Sequence, residues 1–439
     1  MRRVSWPVAL LVLGALACNG LAPLAATPTP SAVPPSATVE LPTAAPTPKP
    51  PSDTPSVAPP TKAPSATVAP SVTSRPGSTN TSPAATVDAA TSTANPSSSG
   101  NLSFVGYVNQ GQLLVTDVTG GVVGGTTQYT QAGVNDGVYD LVWSPSGQYI
   151  AFVSAGTGRD AHVFVVHAVE ASTPVDLGPG EEPNWSPDST RIVFVRDGNV
   201  WLTPLENPQP KALTAQQKWA WGRPTFTPAG DALVVSGQPF DNMGAQGNTE
   251  FDLDRLPLDG SGTLTPLPGQ TRKINGRLPY DLRFSPDGAH LAFSTSWHIS
   301  ACASSGQYYV ADADGSGLTE VSSPSLSALL TPNQEYYYIV RGYAWQPDSS
   351  GLLLTSLIVD CTNFAGTHLG EAMSTVSLTG HEAVLAVGAF ASPSYDHTGG
   401  IIAVAQPTDN GGAGQVALYS AKGDLVGPVG PGGQPALQP

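Results

Sequence analysis

The sequence predicts an all-β fold: a seven-bladed β-propeller behind a disordered Pro, Ser and Thr-rich linker, with six or eight blades as the alternatives. Three observations carry this prediction. One strand–turn–strand motif recurs six times, its copies are spaced as propeller blades are, and the composition changes abruptly near residue 100.

The motif is clearest at Leu282 to Thr295, LRFSPDGAHLAFST. Pro286 pre-sets the second position of a tight turn, Asp287 tolerates the third, and Gly288 accepts positive φ. Leu282 and Phe284 before the turn, and Leu291 and Phe293 after it, alternate as a half-buried strand requires. The other copies are LVWSPSGQYIAFVS from Leu141, NWSPDSTRIVFV from Asn184, TFTPAGDALVV from Thr225, AWQPDSSGLLLT from Ala344 and SYDHTGGIIAV from Ser394. With the turn proline as zero, position −2 is Trp143, Trp185, Phe226, Phe284, Trp345 and Tyr395. Positions +5 and +7 are aliphatic or Phe in every copy. His397 replaces the proline in the last copy, so a different turn is expected there.

The copies are 41 to 61 residues apart, the range of propeller blades. The pattern W-S-P-D-G-x-x-I-A-F resembles the repeat of TolB-like (WD40-like, PD40) β-propellers over about Asn101 to Pro439. The repeated residues are architectural, so the resemblance implies a fold and little about activity.

Residues 1–17 read as an export signal. Arg2 and Arg3 open it, and Val8 to Leu16 form an apolar run too short for a stable span. Ala15-Leu16-Ala17-Cys18 resembles a bacterial lipobox, which implies a diacylglycerol anchor on Cys18. The same residues fit an A-x-A site for ordinary signal peptidase, which would release the protein. Residues 18–99 form the linker: seventeen prolines lie between Pro28 and Pro96, among Ser, Thr and Ala, and aromatic residues are absent. Such a segment has too little to bury to offset its ordering entropy. Extended as polyproline II it reaches on the order of 200 Å at ~3.1 Å per residue.

The domain from residue 100 to 439 is the propeller. Each turn motif is followed by two more strands, as in AHVFVVHAV, GNVWLTPL and GQVALYSAKGD, giving four strands, a to d, per blade. Ser103 to Thr130 supplies b, c and d without a motif before it. Pro435-Ala436-Leu437-Gln438-Pro439 aligns with Pro183-Asn184-Trp185-Ser186-Pro187, so the C-terminal residues supply the missing strand a. Pairing the two ends closes the ring and removes the free sheet edge.

Antiparallel alternation puts the short a–b and c–d turns on one face and the long b–c and d–a loops on the other. Function is expected on the loop face, around the mouth of the central channel. The residues just before each strand a should rim it: Tyr139 and Asp140, Glu181 and Glu182, Trp221 and Arg223, Tyr280 and Asp281, Arg341 and Tyr343. Such a rim suits a protein or glycan partner. The alternative is that these groups only satisfy one another. Tyr336, Tyr337 and Tyr338 are either an exposed contact or a covered extra strand. Cys302 and Cys361 fall in b–c loops of adjacent blades, and a disulfide there stabilises by roughly 2–4 kcal/mol. Free thiols, or a zinc site with His298 and His368, are the other options.

From residue 101 there are 30 Asp and Glu against 13 Lys and Arg, a balance of −17. That charge repels phosphates and argues against nucleic acid. No nucleophile elbow, zinc-protease motif or P-loop occurs. Asp312-Ala313-Asp314-Gly315 looks like part of a calcium loop, but it reads better as a hairpin turn. No cofactor or metal is expected. The expected protein is a monomeric, non-catalytic envelope lipoprotein, outside the cytoplasmic membrane, and by analogy with the resembled family it binds a protein or glycan. A polysaccharide lyase or glycosidase acting through Asp140, Glu182 and Asp281, and an assembly or signalling scaffold, are the competing classes. Mutual neutralisation of the rim's charges would count against catalysis.

Overall fold

The computed structural model describes residues 102–131, 136–155, 160–170, 172–215, 219–239, 250–270, 274–275, 281–298, 304–328, 336–362, 367–408 and 414–439. The export signal, Cys18 and the linker lie outside the described residues, as do Tyr280 and Cys302.

The fold is a seven-bladed β-propeller, each blade a four-stranded antiparallel sheet. Blade one takes strand a from Gly433–Leu437 and strands b to d from Phe104–Asn109, Gln112–Asp117 and Thr126–Gln128. Its inner pairing sets Val105 against Leu437 and Gly106 against Ala436, so the split blade closes the ring as the sequence predicts. Strand a of blades two to seven is Asp136–Trp143, Glu181–Trp185, Thr225–Phe226, Arg283–Phe284, Tyr336–Trp345 and Ala391–Tyr395.

The repeated residues fill the spaces between blades. Position +5 (Ile150, Ile192, Leu233, Leu291, Leu352, Ile402) and position +7 (Phe152, Phe194, Val235, Phe293, Leu354, Val404) are fully buried. Each such burial is worth roughly 1.5–3 kcal/mol. An apolar core lies between every pair of neighbouring blades, so the apolar packing of each blade is shared with its two neighbours. The position −2 tryptophans add a directional tie. The indole N–H of Trp143, Trp185 and Trp345 donates to the carbonyl of Ala436, Val142 and Arg283 respectively, at 2.7, 3.0 and 3.1 Å. Each acceptor is the position −3 residue of the preceding blade. Aromatic bulk and one donor in a single side chain explain why tryptophan suits this place.

The a–b turns also link blade to blade. The turn position two after the proline has positive φ throughout: glycine at 147, 230, 288 and 399, but serine at 189 and 349, both at φ 60°. The serines use the strained backbone. Ser189 Oγ accepts from the Ser146 amide at 2.9 Å, and Ser349 Oγ from the Asp287 amide at 3.1 Å. The turn at His397 does not differ, contrary to expectation. Gly399 donates to the Asp396 carbonyl at 3.0 Å, just as Gly288 donates to Ser285 at 2.8 Å. Asp396 accepts from the Ile401 amide and the Thr398 hydroxyl, which sets the turn without a proline.

Blades four and six show the largest additions to the repeat. In blade four, strand a is short, and Trp219–Trp221 pairs with Gly237–Pro239 as a separate ladder. In blade six, strands a, b and c run to ten or eleven residues. Tyr336, Tyr337 and Tyr338 pair there with Asp360, Val359 and Ile358 and are half-buried, which decides for the covered strand. A one-turn helix, Pro324–Ser327, caps this extension, with Leu326 packed near Ile358 and Ala372. Cys361, at its end, is buried and disulfide-bonded, which excludes the free-thiol option for it. Asp312 to Gly315 form the hairpin turn, with the Gly315 amide donating to Asp312 at 2.8 Å. Among the described residues no helix is long and apolar enough to cross a membrane.

Candidate functional site: the channel ring

Counting back five residues from each turn proline, or from His397 in its place, gives Asp140, Glu182, Arg223, Asp281, Gly342, Ser392 and Gln434. In five of the seven blades this residue sits at a break in the inner ladder. The register shifts between Tyr139 and Val142, Glu181 and Asn184, Val340 and Gly342, and Ala391 and Ser394, and opposite Gly106 to Val108 in blade one. The residue takes positive φ there: 59° at Asp140, 55° at Glu182, 153° at Gly342, 49° at Ser392 and 51° at Gln434. A bulge turns one side chain off the sheet, and for a residue with a Cβ the left-handed conformation costs about 1–2 kcal/mol. At Gly342 a Cβ would lie 2.8 Å from Pro393 Cδ, so glycine is required by space as well as by φ.

The bulges bring side chains from four blades together. Arg223 of blade four reaches Asp140 of blade two, Glu182 of blade three at 3.2 Å and Asp281 of blade five at 3.5 Å. Blade two neighbours neither blade four nor blade five, so these groups meet towards the propeller axis. Asp281 also accepts from Arg283 Nε at 2.7 Å. The Asp140 amide donates to Gln434 Oε1 at 3.2 Å, which ties the charged half of the ring to blade one. The rest of the ring is small or neutral: Gly342, Ser392 and Gln434.

The cluster holds three carboxylates and two guanidiniums. Burial pushes the Glu182 carboxyl up to about 7, and Asp140 and Asp281 push the same way against Arg223. Asp140 is raised as well, by burial first, with Arg223 opposing and Asp281 adding. Burial favours the neutral form of Arg223, but the three carboxylates outweigh it and keep the guanidinium charged.

The sequence-predicted rim is only partly a rim. Asp140, Glu182, Arg223 and Asp281 come together as described. Tyr139 donates to Glu181 at 3.1 Å, at the edge of the cluster. Trp221 and Tyr343 are not accessible: they are 8% and 2% exposed. Trp221 stacks on Trp219 and donates its indole N–H to the Gly198 carbonyl at 2.9 Å. The Tyr343 hydroxyl donates to the carbonyls of Asp281 and Ala292. Both are packing residues: the ladder break between Val340 and Gly342 shifts the alternation at Tyr343, and the interruption between Trp219–Trp221 and Thr225–Phe226 does so at Trp221. Arg341 lies apart from the ring, with its guanidinium 3.5 Å from Glu371, which also pairs with His368. Arg283, Ser392 and Gln434 were missed. A strict five-residue count would have found Ser392 and Gln434. Arg283 sits two residues further on, with its guanidinium 5.6 Å from the Tyr343 ring centre.

No family model matches the sequence, and no curated protein matches it. Among solved structures, an oligogalacturonate lyase in complex with manganese is similar at 14% identity and TM-score 0.48, over 74% of this chain and 83% of that one. TolB from Acinetobacter baumannii is similar at 15% identity and TM-score 0.41, over 77% and 83%. An oligogalacturonate lyase from Vibrio parahaemolyticus is similar at 12% identity and TM-score 0.48, over 73% and 83%. Likenesses this distant carry no argument about activity.

Proposed function

We propose that this chain is a non-catalytic recognition module of the bacterial cell envelope. In this reading Cys18 carries a lipid anchor on the outer side of the cytoplasmic membrane or at the cell surface, and the linker is a stalk. The propeller meets an envelope protein or glycan at the channel mouth on its loop face. The observation that supports non-catalytic binding is the mutual neutralisation of the channel charges. Arg223 is shared among Asp140, Glu182 and Asp281, so the carboxylates of the competing lyase or glycosidase reading are already paired with a cation. A general acid or base needs its proton-transfer lone pair free to face a substrate. Partner contact falls to the groups with exposure left: Arg283, whose side chain is 44% exposed, Arg341 and Tyr139.

The test uses the full-length chain, titrated with fractionated envelope glycans and envelope proteins, with the same mixtures assayed for glycan cleavage. The expected result is saturable binding without product, weakened by Arg283→Ala and Arg341→Ala. Product formation that is lost in Glu182→Gln would overturn the non-catalytic reading and put the chemistry on the ring.

A further inference from the structure

The turn face carries a feature that the channel does not explain. A cleft of about 750 Å³ opens between blades two and three. Its walls include Val175, Leu177 and Leu205, and five of the polar residues that line it are Gln148, Tyr149, His167, Thr173 and Glu206.

Most polar groups near the cleft are committed to the fold. Asp188 accepts from Ser186 and Thr190, and Ser189 holds the Ser146 amide. The five are different. Among the described residues, the Gln148 amide, the Tyr149 hydroxyl, the Thr173 hydroxyl and the Glu206 carboxylate make no side-chain hydrogen bond and no ion pair. His167 is half committed. Its Nδ1 accepts from the Glu170 amide at 3.1 Å, which leaves the proton of the neutral ring on Nε2 as a spare donor. The Tyr149 ring is fixed, edge-on to His167 at 4.8 Å and 6.0 Å from Trp185. A concave site with apolar walls and a few convergent, unengaged polar groups is the usual form of a ligand pocket.

The mixture of groups points to the ligand class. His167 Nε2 donates only, the Glu206 carboxylate accepts only, and Gln148, Tyr149 and Thr173 do both. Two carboxylates, Glu206 and Asp188, with no lysine or arginine on the lining, disfavour an anion. Alternating donors and acceptors beside apolar walls suit a ring whose hydroxyls both donate and accept and whose C–H faces are apolar. We propose that this cleft is a second binding site, for a neutral hexopyranose unit, on the face opposite the channel ring's loops.

The test is saturation-transfer NMR on the full-length chain. The probes are methyl β-glucopyranoside and N-acetylglucosamine, with galacturonate as the anionic control. A short N-acetylglucosamine oligomer distinguishes a free sugar from a glycan chain by its tighter binding. The expected result is saturable transfer from the neutral sugars and none from galacturonate. Glu206→Gln should raise Kd by about tenfold, the loss of one charge-assisted hydrogen bond. Val175→Trp should abolish binding, because Val175 is 52% exposed at the cleft and a larger side chain fills it from outside the core. Val387→Ala, at an exposed position of blade six, should change nothing. Absence of transfer from both neutral sugars, or transfer that survives both cleft variants, overturns the site. Equal binding of galacturonate overturns the ligand class. If Val175→Trp does not fold, Glu206→Gln decides alone.

Discussion

Replacing Trp143 by Phe tests how the ring is closed. The Trp143 indole N–H donates to the Ala436 carbonyl at 2.7 Å, joining blade two to the last strand of the chain. Phenylalanine keeps most of the packing and removes the donor. The orphaned carbonyl costs about 1–3 kcal/mol. The smaller ring leaves roughly 40 Å³ unfilled at a site 7% exposed, about 1 kcal/mol more. The expected loss is therefore about 2–4 kcal/mol, or a fall in Tm of roughly 3–6 °C for a domain of this size. Trp345→Phe is the control, since it removes the same bond, to Arg283, away from the closure. Both variants should melt earlier. Only Trp143→Phe should speed hydrogen exchange at the amides of Gly433–Leu437, measured by mass spectrometry. Unchanged exchange there, or the same acceleration in Trp345→Phe, would refute the claim that this indole secures the closing strand.

Glu182 sets a pH dependence. Its carboxyl is raised from 4.5 to about 7, so the stability it contributes is full below pH 4.5, falls as pH rises through about 7, and stays lost above. The loss is on the order of 3 kcal/mol, and Glu182→Gln should flatten the Tm against pH curve between pH 4.5 and 7.5. An unchanged slope would assign the dependence to other groups. Arg223→Ala leaves three carboxylates facing one another and should cost about 3–5 kcal/mol in urea unfolding, more at pH 8 than at pH 5. A smaller loss at pH 8 than at pH 5 would contradict the cluster's charge balance. Ser349→Ala loses the bond to Asp287 and keeps the strained backbone, so about 1–2 kcal/mol should go. Ser349→Gly relieves the strain and should come within about 1 kcal/mol of wild type. Equal effects of the two changes would mean that φ at this turn does not matter.

The sequence and structure agree wherever one residue has one possible neighbour set. Positions −2, +5 and +7 are apolar in every copy because each faces an adjoining blade, and the fold followed from them. The strand supplied by Gly433–Leu437 was legible for the same reason, since Leu437 stands in a tryptophan's place. Prediction weakened just before strand a. Alternation would put Tyr343 and Trp221 on an accessible side, but the bulge in blade six and the break at Gly222 to Pro224 in blade four shift the period. Nothing in the local sequence announces a bulge: Asp140, Glu182, Ser392 and Gln434 share only a count from the turn. The acid and arginine signs at those positions did suggest that they meet. The cleft between blades two and three escaped notice because its polar groups come from two turns, a strand end and a loop that read as ordinary solvent-facing residues.

The split blade also has a consequence for the order of events in synthesis. Trp143 and Ala436 are 293 residues apart in sequence, yet their contact belongs to the inner ring. A chain emerging from the ribosome can form blades two to seven in turn from local hairpins. Blade one must wait as a three-stranded sheet with its inner edge bare. Folding therefore ends in a single high-contact-order step, slow for its size because a loop of nearly the whole domain must close before it is rewarded. Until then the exposed edge of Phe104–Asn109 is the place where a second nascent chain could donate its own last strand, and early handling by chaperones matters most there.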